Sequence, residues 1–197
     1  MTTFLLLLGE YLMWQAFALL YAAYSPYLEL IGTNPLNDCP TDVIGVSTVH
    51  GNASLEKVTK NCLRVMRALN KTNIPVHAGQ ARPLTRQHFS AENIHGESGL
   101  DGTNLLPELR PEDKPSGKKA VLAMAEGILG QPKGETMLVA TGSMTNVGIL
   151  VSLFPEIIEW LKGVVIMGGA VAVGNVTPVA EFNIWVWISK SSLTNLE

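Results

Sequence analysis

Residues 137–169 read MLVATGSMTNVGILVSLFPEIIEWLKGVVIMGG, and the order of residue types in this stretch decides the fold. Met137 to Ala140 is a short apolar run that stops at Thr141-Gly142, the pattern of a buried strand. Thr145 to Phe154 then predicts a helix, with Thr-Gly before it serving as an ordinary cap. Pro155 suits the first position of a further helical turn running through Leu161. Val164 to Met167 predicts the next strand, closed by Gly168-Gly169. The unit is strand, helix, strand, which calls for parallel pairing.

The same alternation extends outward. Lys118 to Leu129 predicts a helix ahead of this unit. Further upstream, Val43 to Val49 reads as a strand, Gly51-Asn52 as a turn, and Ser54 to Leu69 as a helix. In that helix Leu55, Val58, Cys62, Val65, Met66 and Leu69 share one face at helical spacing. Glu56 in its first turn and Arg64 and Arg67 toward its end suit the helix dipole. Ile74 to His77 reads as a short strand ended by Gly79 and Pro83. Residues 84–117 are polar and rich in Gly and Pro, a long loop of the kind that often carries function. The expected fold class is α/β, a mostly parallel sheet with helices on both faces, Rossmann-like in character. Ligands of such sheets collect at the carboxyl ends of the strands. No internal repeat interrupts the reading, and a chain of 197 residues suits one domain.

Composition narrows the function classes. The chain is 47% hydrophobic and 16% charged with a net charge of −3, and its Lys and Arg form no run. Nucleic acid is therefore not the expected partner. Cys39 and Cys62 lie far apart without a CxxC spacing, so no disulfide framework is expected and a reducing, cytoplasmic setting is the default. Residues 3–24 are apolar but broken by Gly9-Glu10, and no Lys or Arg precedes Lys57. A signal peptide would carry a basic start, and a membrane span about 20 apolar residues without a central carboxylate. Phe4 to Leu8 is expected to be the first strand and Ala16 to Tyr24 a buried helix. A membrane anchor is the alternative use of the segment.

Polar residues follow the predicted strands in four places. These are Val49-His50-Gly51-Asn52, Ile94-His95-Gly96-Glu97-Ser98-Gly99-Leu100-Asp101-Gly102, Thr141-Gly142-Ser143-Met144-Thr145-Asn146, and Ile166-Met167-Gly168-Gly169 with Gly174-Asn175 and Ala180-Glu181-Phe182-Asn183. Singly, each has a plain explanation as a turn, a cap or a polar strand face. As an ordered series they resemble the inosine–uridine-preferring nucleoside hydrolases, nearest the fungal uridine-nucleosidase-like branch. The resemblance runs through residues 43–185 and also takes in Gln15 to Gly32.

Enzymes of that family cleave the N-glycosidic bond of ribonucleosides such as uridine and inosine, giving ribose and a free base. Their ribose pocket holds a calcium ion. By motif, the resemblance implies that Asn52, Asn175, Glu181 and Asn183 bind the ribose and that Met167 lines the sugar site. It implies further that Thr141 offers its backbone carbonyl to the metal and that His95 acts beside the base. A homo-oligomer is usual in the family.

The chain departs from the family pattern where the metal would be held. An Asp-rich DxDPGxDD turn is expected before Ala16-Phe17-Ala18-Leu19-Leu20, but Gly9-Glu10-Tyr11-Leu12-Met13-Trp14-Gln15 stands there and no Asp precedes Asp38. The family's later His-Asp pair would lie beyond Glu197. Residues 33–45 break a run that the family makes continuous, and are expected to be an inserted surface loop or locally distorted segment. After Trp185 the match also stops abruptly. These joints lead to the expectation of a partial nucleoside-hydrolase-like domain over 1–197, translated across misplaced exon boundaries or from a decayed copy. Sequencing the transcript across them tests the first of these. Three readings follow: a calcium-dependent hydrolase, a non-catalytic or regulatory relative that binds nucleosides, or a membrane-anchored protein.

Overall fold

A computed structural model describes residues 3–8 (as backbone), 42–84, 96, 98–100 and 105–187. Five parallel strands form one sheet in the order β3-β2-β1-β4-β5. They are β1 (Thr3–Leu8), β2 (Asp42–Thr48), β3 (Val76–Ala78), β4 (Thr136–Ala140) and β5 (Leu161–Ile166). Between them run α1 (Leu55–Ala68), α2 (Ala120–Leu129), α3 (Thr145–Leu153) and the single turn α4 (Ile157–Trp160), with the short α5 (Phe182–Trp185) last.

Alternation along the strands puts helices on both faces. On β4, Leu138 and Ala140 pack with Val121, Met124 and Ile128 of α2 and with Val147 and Leu150 of α3. Val139 points the other way and joins Val46, Val76 and the Cys62, Val65 and Met66 face of α1. Fully burying side chains of this size contributes about 1.5–3 kcal/mol each, so the two layers are what fix the sheet between them. Ser54 caps α1, its Oγ accepting from Lys57 N at 3.4 Å. Arg64 and Arg67 do more than complement the dipole. Arg64 donates to the carbonyls of Leu106 (2.7 Å) and Pro107 (3.1 Å), and Arg67 pairs with the nearly buried Asp113. Two α1 side chains thus hold residues 105–113 against the domain.

The apolar run Phe4 to Leu8 does occupy a strand, and it lies at the centre of the sheet between β2 and β4. The expected helix at Ala16 to Tyr24 lies outside the described residues, as does most of the expected insert. Where the expected insert and the expected strand at Val43 to Val49 overlap, the strand reading holds: residues 42–45 belong to β2 and are not a surface loop. Asp42 and Val43 pair with Thr3 and Phe4, after which Gly45 pairs with Leu5 and leaves Ile44 as a bulge. The bulge swings Ile44 toward the α2 layer while Val43 and Val46 face α1. β-branched residues at 43 and 44 favour this extended backbone, which outweighs the loop signal of the Asn and Pro residues upstream. Smaller boundary differences concern β3, which starts at Val76 rather than Ile74, and β5, which starts at Leu161 and ends at Ile166.

Candidate functional site

Asn52, Thr141 and Met167, singled out from the sequence, stand at one end of the sheet. Asn52 follows the carboxyl end of β2, Thr141 that of β4 and Met167 that of β5. The ends of β4 and β5 are joined directly, Met167 N donating to Ala140 O at 2.8 Å. Asn183 then reaches back, its Nδ2 donating to Met167 O at 2.8 Å. Asn183 is fully buried, and its Oδ1 accepts no hydrogen bond among the described residues.

Glu181 organises the last segment. Its Oε1 accepts from Asn183 N (2.9 Å) and its Oε2 from Ile184 N (3.2 Å), so it caps α5. The same Oε2 accepts from Gly169 N at 3.1 Å, tying the glycine turn after β5 to the cap. Asn175 contributes through its Oδ1, which accepts from Phe182 N at 2.9 Å. Gly174 permits the tight return of this loop: a Cβ there would lie 2.3 Å from Ala180 O. Met167, Asn175, Glu181 and Asn183 are thus parts of one connected unit. His95 lies outside the described residues.

Beside this unit is a buried polar layer that the sequence motifs named without giving it a role. Ser47, Thr48, His50, Thr145 and Asn146 are all fully buried, and Asn52, Thr141 and Ser143 nearly so. The His50 ring Nε2 lies 3.2 Å from Thr145 Oγ1, which in turn bonds Ser143 Oγ at 2.8 Å. Thr48 Oγ1 bonds Thr59 Oγ1 of α1 at 2.8 Å. The sequence signal was a Thr and an Asn starting a helix whose other buried side chains, Val147 and Leu150, are apolar, since buried polar groups need partners. A separate groove of about 960 Å³ runs along α1 between Leu55, Leu63, Ala81, Arg82, Leu109 and Pro115. None of the sequence-derived site residues lines it.

A family model described as inosine-uridine preferring nucleoside hydrolase matches residues 15–186. The chain belongs to that family. It is 45% identical over 143 residues to an uncharacterized protein of Schizosaccharomyces pombe, covering 73% of this chain and 42% of that one. It is 44% identical over 145 residues to the pyrimidine-specific ribonucleoside hydrolase RihA of Escherichia coli O1:K1, covering 74% and 45%. Among solved structures, a plant nucleoside hydrolase superposes with a TM-score of 0.78 at 28% identity, covering 94% of this chain and 54% of that one. The purine-preferring ribonucleoside hydrolase of Gardnerella vaginalis gives a TM-score of 0.78 at 26% identity, with the same coverage. The chain therefore spans about half the length of the nucleoside hydrolases it matches.

The family's metal can be weighed against the donors described. Calcium takes six to eight oxygens, largely carboxylate. Among the described residues no cluster of three His, Cys, Asp or Glu side chains could hold a metal. Glu181 is the one carboxylate in the candidate set, and both its oxygens already accept backbone N–H groups. The donors described do not make a calcium site with Thr141. Nor is any helix among the described residues long and apolar enough to cross a membrane.

Proposed function

We propose that this chain binds the ribose of ribonucleosides through Asn52, Met167, Asn175, Glu181 and Asn183, and is at most a very weak N-glycosidase. The observation that carries this reading is Asn183. A side chain held on one side by Met167 O, with its Oδ1 buried and accepting nothing among the described residues, suits an incoming hydroxyl donor. Leaving such an acceptor unmet costs about 1–3 kcal/mol, which a sugar hydroxyl would recover. Glu181, half-buried and negative, favours the positive charge that builds on the sugar when an N-glycosidic bond breaks, as in glycoside hydrolysis. On this reading His95 acts near the base.

Binding and orientation alone supply only part of the rate. In the family a calcium ion would activate the attacking water, a contribution worth several kcal/mol. A general base adds roughly 10²–10⁴-fold. No Asp precedes Asp38, and the described residues offer no carboxylate cluster for either task. Asp42, which stands in β2 rather than at the end of β1, and Asp38, four residues earlier in the sequence, are the weaker substitutes. The setting we infer is nucleoside catabolism in the cytoplasm, with homo-oligomers as the family's usual assembly.

The test is ribose release from uridine by the purified chain with calcium present, alongside calorimetry with calcium. Uridine comes first because the Escherichia coli relative is named pyrimidine-specific; inosine follows. The expected result is ribose release near the blank and no calcium binding tighter than millimolar. Robust turnover, abolished by chelator and restored by calcium, would overturn the reading and direct mutagenesis to Asp38 and Asp42.

A further inference from the structure

Two chain segments converge on one buried side chain outside the proposed ribose contacts. Asn146, in the first turn of α3, is fully buried. Its Nδ2 donates to Ser47 Oγ at 2.8 Å and to Thr48 O at 3.0 Å, the last two residues of β2. Its Oδ1 accepts from Gln80 N at 2.9 Å, in the loop after β3. Gln80 in turn accepts His50 N at 2.9 Å through its carbonyl. The His50 ring then returns to Thr145, the neighbour of Asn146. The circuit Asn146–Gln80–His50–Thr145 is closed, and Asn52 lies two residues beyond its corner.

We propose that Asn146 is the positioning residue of the ribose site, setting where Asn52 stands by fixing the end of β2 and the loop after β3 together. The proposal rests on the reading of Asn52 as a ribose contact. Asparagine is the side chain the position requires. The fork needs two donors and one acceptor within one short reach. Aspartate would replace both donors with a carboxylate facing Thr48 O. Glutamine would be too long, because Gly79 already crowds the amide: a Cβ at 79 would fall 2.1 Å from Nδ2. A purely structural Asn would stabilise the fold without setting the pose of Asn52, and the two roles separate in experiment.

The experiment uses the full chain as wild type and as Asn52→Ala, Ser47→Ala, Asn146→Asp and Thr136→Val. Thr136 is also fully buried, at the opposite end of β4, and serves as the control for disturbing a buried hydroxyl. Uridine binding is followed by ligand-observed NMR, and amide exchange is read at His50 and Asn52. Ser47→Ala is expected to weaken uridine about five-fold, the worth of one neutral hydrogen bond, and Asn146→Asp more than ten-fold. Both should speed exchange at His50 and Asn52, while Thr136→Val changes neither readout. Lowered thermal stability with uridine affinity and exchange at 50–52 unchanged would overturn the proposal. Should Asn146→Asp fail to fold, Ser47→Ala decides by the same two readouts. If Asn52→Ala and wild type behave alike toward uridine, the ribose-site reading has failed instead. The exchange measurement then still shows whether Asn146 governs the loop.

Discussion

Replacing Gly79 by alanine should be among the most damaging single-methyl additions this chain can suffer. The added Cβ would sit 2.1 Å from Asn146 Nδ2, 2.6 Å from its Oδ1 and 2.4 Å from Thr48 O. Neither neighbour can yield cheaply, since one is backbone and the other an amide with three hydrogen bonds. Displacing the amide forfeits about 1 kcal/mol for each of those bonds, and overpacking adds about 1–3 kcal/mol. The stiffer unfolded chain returns about 0.4–1 kcal/mol. A net loss of about 3–5 kcal/mol remains, a large share of the 5–15 kcal/mol that typically separates folded from unfolded. Urea unfolding monitored by tryptophan fluorescence and circular dichroism measures it. A double-mutant cycle sharpens the test. Asn146→Ala removes two of the three close contacts, so the pair should cost about 2 kcal/mol less than the sum of the singles. A Gly79→Ala protein within 1 kcal/mol of wild type (roughly the worth of one hydrogen bond), or costs that simply add, would refute this account of the crowding.

Three further outcomes follow from described side chains. Glu181→Gln keeps a carbonyl acceptor but loses charge assistance; because Glu181 is partly exposed, the cost should be only about 1 kcal/mol. Faster amide exchange at Gly169, Asn183 and Ile184 is the specific sign to measure. Burial pushes the Cys62 thiol up to about 12, so in a Cys39→Ser variant the thiol should react with Ellman's reagent at pH 8 only as fast as the α1 region opens; prompt stoichiometric labelling of the native chain contradicts this. Burial lowers the His77 pKa, opposed by a backbone hydrogen bond with Lys118 and assisted by the Lys118 charge. The unfolded chain then binds the extra proton more readily, so this part of the stability is present above the ordinary histidine value of about 6.5 and lost as pH falls below it. Melting curves of His77→Gln between pH 7.5 and 5 should show a shallower pH dependence than wild type.

The features legible in the sequence were those that local chemistry imposes. Apolar runs at Met137–Ala140 and Val43–Val49 and the spaced face of α1 announced strands and helix, because each buries its own stripe. The placement of Asn52, Thr141 and Met167 at strand ends followed from the glycine turns beside them. What stayed hidden was relational. Nothing in the residues around Asn146 says that its amide meets Ser47, 99 positions away. Arg64 and Arg67 looked like dipole partners because their real acceptors, Leu106, Pro107 and Asp113, lie across a loop of unpatterned sequence. Residues 43–45 carry two signals at once, the extended preference of Val43 and Ile44 and the loop signal of the Asn and Pro residues before them. The pairing with β1 that decides the matter is visible only in three dimensions.

The bulge at Ile44 matters for register. A parallel strand without one transmits every gain or loss of a residue along its length, turning each later side chain to the opposite face. Here the phase is reset at the entrance to β2, and downstream Leu7 with Ser47 and Leu8 with Thr48 keep their partners. The extra residue therefore lets Asp42 and Val43 join β1 in one phase and Gly45 to Thr48 in the other. Ser47 and Thr48 are thereby presented to Asn146. The carboxyl end of the sheet thus keeps its register across a one-residue irregularity at the strand's entrance.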